Sequence, residues 1–258
     1  MNDSARTESP PKVKASLFIT CILDQLFPQV GESVVRVLRH LGVEVDFPME
    51  QTCCGQPAFN SGYNREARAL AARFLRTFQD SQYIVVPSGS CTSMIRVFYP
   101  DLFHDDRELH QKAVALGQRT YEFSQFLVKV LGLTDVGAAY SGRVTYHPSC
   151  HQLRELRVVQ EPRDLLGAVK GLELVPLEQA ETCCGFGGTF SVKYPHISEA
   201  MLEDKVANVL KSGAQALVAC DMSCLMHIKG ALARRKADVE VLHLAQLLDR
   251  GLSRQGGR

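Results

Sequence analysis

The chain has 258 residues, 45% of them hydrophobic and 22% charged, enough apolar material for one large core or two lobes and too much for a disordered protein. A formal net charge of +1, the lack of any Lys/Arg block and the absence of Trp argue against a nucleic-acid partner. No run reaches the roughly 20 apolar residues of a membrane span, so contact with a membrane is expected only through partners.

The opening, MNDSARTESPPK, is polar and lacks the apolar core of a signal peptide, so residues 1–14 are read as a flexible tail. Nine cysteines without a secretion signal point to a reducing, cytoplasmic setting. There, clustered thiols are more often metal ligands or redox groups than disulfides.

Ala15–Thr20 is a short β-rich run that ends at Cys21. Val30, Val34, Val35, Leu38 and Leu41 then form a helical stripe, and Val43–Phe47 reads as a second strand. Asn64 is a candidate cap for a helix with Leu70, Ala71, Phe74, Leu75 and Phe78 on its inner face. Tyr83–Pro87 is a third strand, followed closely by Cys91. Later strands are expected at Val144–Tyr146, Leu172–Leu177 and Ala216–Ala219, with helices near Arg163–Val169, Ile197–Lys211 and Leu225–Arg234.

The cysteines show that this order is a repeat. Cys21 is followed by 31 residues, then Cys53-Cys54-Gly55, then 36 residues from Cys54 to Cys91. Cys150 is followed by 32 residues, then Cys183-Cys184-Gly185, then 39 residues from Cys184 to Cys224. Two rare triplets inside matching frames indicate duplication. The half-chain endings TYEFSQFLVKVLG and VEVLHLAQLLDRG also match, each an extended piece leading into an amphipathic helix. The expected fold is α/β, with two duplicated Rossmann-like lobes of mainly parallel strands, at 15–139 and 140–252. Residues 253–258 are read as a second flexible tail.

Each cysteine element follows a strand, and open α/β sheets bind their ligands beyond the carboxyl ends of strands. Neighbouring strands lie about 4.8 Å apart, so thiols at several strand ends can meet at one centre. One lobe would then gather Cys21, Cys53, Cys54 and Cys91, and the other Cys150, Cys183, Cys184 and Cys224. Four thiolates leave a net charge of −2 around zinc or an oxidised four-iron cluster, which burial tolerates only beside cations, N–H groups or helix N-termini. Arg96, Lys193 and Lys229 are the candidate cations. Purely packed cysteines explain the spacing poorly. Zinc in one lobe and an iron–sulfur cluster in one or both lobes remain open on the residues alone.

At FITCILDQLFPQVGE, QTCCGQPAFNSGY, VPSGSCTSMI, YHPSCHQLRE, ETCCGFGGTFSVKYP and DMSCLMHI the chain resembles the cysteine-rich CCG-domain family. That family includes the heterodisulfide reductase B subunit, the glycolate oxidase iron–sulfur subunit and the lactate utilization protein A group, and the resemblance is strongest to the last. It implies an iron–sulfur cluster, [4Fe–4S] in type, and electron transfer in a system oxidising L-lactate to pyruvate. It also implies partner subunits, a ferredoxin-type iron–sulfur protein and a third protein. This chain has neither a ferredoxin cysteine run nor a GxGxxG fingerprint, so it reads as one part of an oxidoreductase and not as a stand-alone dehydrogenase. A zinc-stabilised assembly role and disulfide reduction are the alternatives.

Some members of that family end each frame with CxxC and supply a fifth thiolate. Here Ser88 and Asp221 stand at those positions. Cys220 lies one residue from the second, as a displaced ligand or as a buried strand-end thiol. Asp221 is either a carboxylate ligand or a helix cap. His147 and His151 flank Cys150 and His227 follows Cys224; each could ligate metal or tune a sulfur centre, with His151 the first choice because it adjoins Cys150.

Overall fold

The computed structural model describes residues 13–253. The tails expected at 1–14 and 253–258 fall largely outside them; Lys14 already pairs in the first strand, and Ser253 closes the last helix.

The first half contains β1 (Lys14–Leu17), α1 (Cys21–Leu26), α2 (Pro28–His40), β2 (Glu44–Asp46), α3 (Gln56–Asn60) and α4 (Asn64–Thr77). It continues through β3 (Tyr83–Val86), α5 (Gly89–Ser93), a π-helical turn (Met94–Phe98), α6 (Tyr99–Leu102), α7 (Arg107–Gln118), β4 (Thr120–Glu122) and α8 (Phe123–Gln125), which runs into a second π-helical turn (Phe126–Val130). The second half contains β5 (Ala139–Tyr146), α9 (Cys150–Arg154), α10 (Glu161–Gly167), β6 (Lys170–Val175), α11 (Phe190–Lys193) and α12 (Pro195–Lys211). It ends with β7 (Ala216–Ala219), α13 (Met222–Arg234), β8 (Glu240–His243) and α14 (Leu244–Ser253).

The strand orders are the same, β2-β1-β3-β4 and β6-β5-β7-β8, and every pairing is parallel. The near-continuous apolar runs Ile84–Val86 and Ala216–Ala219 occupy inner strands and are fully buried, as parallel strands covered on both faces must be. Asn64 is not a cap. The Ala67 N–H already bonds the Tyr63 carbonyl, so the helical ladder starts one residue earlier and Asn64 lies in its first turn.

The halves share a core. Ala15, Leu17, Val34 and Phe126 from the first pack in one cluster with Val144, Leu165, Leu242 and Leu248 from the second. Asp249 on α14 accepts from Ser33 Oγ at 2.9 Å and Arg36 Nε at 2.9 Å, both on α2. The packing is reciprocal: α14 lies on α2, and α8 lies on α10. The cysteine-bearing helices cross over in the same way, α1 against α13 and α5 against α9. Among the described residues no helix is long and apolar enough to cross a membrane.

Candidate metal centre between the lobes

Cys21 and Cys150 open α1 and α9, while Cys91 and Cys224 sit in the first turns of α5 and α13. All four helices follow inner strands of their sheets, so their N-terminal turns converge where the sheets end. Exposed amides and the helix dipole there favour anionic sulfur. The paired cysteines arrive on loops after β2 and β6. The glycine behind each pair has φ 86°, a left-handed turn that side chains rarely adopt. That turn points the Gly55 and Gly185 N–H groups at Cys53 Sγ and Cys183 Sγ, each at 3.4 Å. Tyr99 Oη secures one loop by donating to the Cys54 carbonyl at 2.8 Å, and Ser198 Oγ secures the other through the Gly185 carbonyl at 2.8 Å.

In the first half Cys21 Sγ lies 3.7 Å from Cys53 Sγ, and Cys54 Sγ lies 3.3 Å from Cys91 Sγ. A Cys53–Cys54 contact joins the two pairs. The second half repeats the chain of contacts through Cys150, Cys183, Cys184 and Cys224. In both groups the last two cysteines of the chain of contacts are buried and the first two half-buried. All eight expected cysteines therefore gather into two groups of four. Every one except Cys53 lines a single cavity of about 100 Å³ between the halves.

The thiols of each group cannot ionise together. Hydrogen bonds from Cys21 and then Cys54 hold Cys53 down to about 3, while the same Cys53 bond, followed by burial, pushes Cys21 far up. Cys183 is held down to about 2 by Cys150 and then Cys184, and Cys150 is pushed far up. A bound metal centre would remove this conflict by drawing all the sulfurs into the ionised form. Crowded, partly buried soft donors with N–H groups aimed at them fit such a centre.

The candidates around the cysteines fare differently. Asp221 caps α13 by accepting from the Ser223 N–H at 3.2 Å, and its other oxygen accepts from Ser90 N at 2.9 Å in the opposite half. Cys220 is fully buried in the shared core, 3.7 Å from Tyr146 Oη and outside the cavity wall, so it is not brought to the second group. His151 lines the cavity, with Nδ1 3.2 Å from Glu155 Oε2. The histidine placed deepest against sulfur is His147, not His151. It is fully buried, and burial followed by the nearby Lys205 charge pushes it down to about 3. Lys193 and Lys229 are exposed, and Arg96 is engaged by Gln125 Oε1 at 2.8 Å.

The buried cation is Lys205, which sequence reading missed. Its Nζ donates to the carbonyls of Gln179 at 2.9 Å and Ala180 at 3.0 Å, just before the second cysteine pair; burial pushes the ammonium's pKa down, and the sulfurs of Cys184, Cys183 and Cys224 oppose that shift. The available signal was its place on an apolar stripe with Leu202, Val206 and Val209.

Fold and site together define a duplicated cysteine-rich α/β protein whose two thiol groups face one interlobe cavity. The cysteine-rich domain known as CCG matches residues 15–96 and again 144–229. The chain belongs to this CCG cysteine-rich family, and within it to the lactate utilization protein A group. Lactate utilization protein A of Exiguobacterium sp. is 50% identical over 239 residues, covering 92% of this chain and 97% of that one. Lactate utilization protein A 1 of Bacillus mycoides is 49% identical over 245 residues, covering 95% and 100%. Among solved structures, glutamate racemase from Francisella tularensis aligns at 11% identity over 95% of this chain and 80% of that one, with a TM-score of 0.36, too distant to bear on function.

Proposed function

We propose that this chain is an iron–sulfur electron-transfer subunit of a multiprotein system that oxidises L-lactate to pyruvate. The observation that carries the electron-transfer part is the shared cavity: two four-cysteine groups, one from each half, open onto the same space. Two centres facing each other across a small gap suit passage of electrons better than two isolated structural sites would. The lactate part rests on relatives at 50% and 49% identity that are named lactate utilization proteins.

Cys21, Cys53, Cys54 and Cys91 would hold one centre, and Cys150, Cys183, Cys184 and Cys224 the other. An iron–sulfur cluster, [4Fe–4S] in type, supplies one-electron chemistry when bound. The chain's own part is to fix four sulfurs on helix N-termini and four on the two cysteine-pair loops, offer Cys53 and Cys183 the Gly55 and Gly185 N–H groups, and keep bulk water from the two buried sulfurs of each group. Lys205 places a buried positive charge beside the second group. On this reading the oxidation of lactate itself falls to partner subunits. These are expected to be a ferredoxin-type iron–sulfur protein and a third protein, working with this chain in the cytoplasm.

The test is iron and sulfide quantification on anaerobically isolated protein, with electron paramagnetic resonance before and after adding lactate and the partner subunits. The reading expects iron, sulfide and a lactate-dependent signal. Tightly bound zinc with no iron in either half would sink it in favour of a zinc-stabilised assembly role. The approach of His147 to Cys184 and Cys224 gives that second reading its footing, because imidazole and thiolate together suit zinc.

A further inference from the structure

Behind the second cysteine group lies a buried histidine with no counterpart in the first half. His147 stands three residues before Cys150; the residue three before Cys21 is Phe18, packed edge-on against Phe74 at 5.1 Å. The imidazole is fully buried, and a ring nitrogen lies within 4.8 Å of both Cys184 Sγ and Cys224 Sγ, which lie within the same distance of each other. Neither ring nitrogen completes a hydrogen bond; the Ala180 carbonyl approaches the ring without bonding geometry. A buried polar atom left unpartnered is destabilising, and native folds rarely keep one without a ligand, ion or water to satisfy it.

The free imidazole and the two sulfurs face one another from three different elements: the end of β5, the loop after β6 and the first turn of α13. Cys183, in contact with Cys184, adds a third sulfur to the set. One nitrogen and three sulfurs form a donor set for borderline first-row metals such as zinc, cobalt(II) or iron(II). We propose that His147 is a direct nitrogen ligand of the second-half metal centre, making that site mixed imidazole–thiolate while the first-half site is thiolate-only. This deepens the reading above, resting on its metal-binding part and not on the identity of the metal.

The test uses full-length, metal-free protein in which Cys21→Ser and Cys53→Ser disable the first group, loaded with one equivalent of cobalt(II). The expected result is thiolate-to-cobalt charge transfer together with a nitrogen hyperfine coupling in pulsed electron paramagnetic resonance. His147→Phe, which installs the first half's residue type, removes the coupling and weakens cobalt binding by roughly tenfold or more. His151→Ala leaves both unchanged. Cobalt held by thiolates without nitrogen coupling, coupling that survives His147→Phe, or no cobalt binding at all would each overturn the proposal. The first of these needs no histidine variant, so a misfolded His147→Phe protein does not shield the idea. Iron and sulfide take no part, so a negative result leaves the iron–sulfur reading standing, and a protein without iron leaves this one standing.

Discussion

The Ser88 hydroxyl lies 3.2 Å from Oδ2 of Asp221, joining the two halves at the positions that correspond in their cysteine frames. Each stands three residues before the last cysteine of its group, where a CxxC member of the family would carry another thiolate. Here both cap helices instead, Ser88 accepting from the Cys91 N–H and Asp221 from the Ser223 N–H. The duplicated frame has thus turned two potential ligand positions into one bridge across the halves, leaving four cysteines to each group.

Removing that bridge should destabilise the whole fold. Asp221→Ala leaves the Ser90 N–H without its charged acceptor and α13 without its cap, for an expected loss of about 3 kcal/mol in denaturant unfolding. Ser88→Ala should cost about 1 kcal/mol, and the double variant should cost less than the sum of the two. Strict additivity would mean that the contact carries no coupling.

Cysteine replacement tests whether the two groups bind independently. Cys54→Ser should remove the metal of the first group and Cys184→Ser that of the second, each variant retaining about half of the metal by elemental analysis. Cys220→Ser should retain all of it, because Cys220 lies in the core behind Tyr146. If Cys220→Ser lost half the metal, the four-cysteine assignment of the second group would be wrong.

Lys205 offers a test of electrostatics. A lysine this deeply buried usually has an acidic partner, but among the described residues its ammonium bonds two carbonyls, and the nearby sulfurs supply the negative charge. Lys205→Met keeps most of the volume and removes the charge. Metal in the second group should then be lost to a chelator at roughly tenfold lower concentration, with the first group unchanged. The first half carries Phe74 on the matching helix and needs no such cation.

The repeat, the parallel sheets and the eight cysteines were legible because they leave period and spacing in the chain. Strand ends came within a few residues: Ala216–Ala219 matches β7, and Tyr83–Pro87 overruns β3 by one. The facing of both groups into one cavity left no such trace. It depends on α1 crossing to α13 and α5 to α9, contacts between elements far apart in the chain, Cys21–Leu26 with Met222–Arg234 and Gly89–Ser93 with Cys150–Arg154. His147 was hidden for a related reason. Sequence adjacency to Cys150 favoured His151, but a helix beginning at Cys150 carries His151 to the cavity rim while the strand end leaves His147 buried against Cys184 and Cys224. Lys205 broke an apolar stripe, a signal that was present and passed over.

Glu122 should make stability depend on pH in a direction unusual for a carboxylate. It is fully buried, and burial raises it from 4.5 to about 7 despite hydrogen bonds from the Ser124 hydroxyl and amide. The native state therefore holds a proton that the unfolded chain releases, and stability falls as pH rises from about 4.5 through about 7. The whole effect is on the order of 3 kcal/mol. Glu122→Gln cannot titrate, so the variant should gain on the parent across that interval and hold a constant difference above it. Parallel stability curves from pH 5 to 8 would show that Glu122 stays ionised in the fold.

The gap between the two groups is set where α5 meets α9. A side chain at Gly89 would place its Cβ 2.7 Å from Gln152 Cβ and 3.3 Å from Gln152 Cα, so α5 and α9 meet there without room for a methyl group. Cys91 lies two residues along α5, and Cys150 opens α9, which makes this close approach the spacer of the cavity. Gly89→Ala must push the helices apart, because Gln152 is itself fully buried and cannot swing away. The expected cost is about 1–3 kcal/mol in unfolding. If both groups carry paramagnetic centres, their magnetic coupling should weaken while the metal content stays whole. An unchanged coupling together with unchanged stability would mean that the helices part elsewhere and that α5 and α9 do not set the distance between the halves.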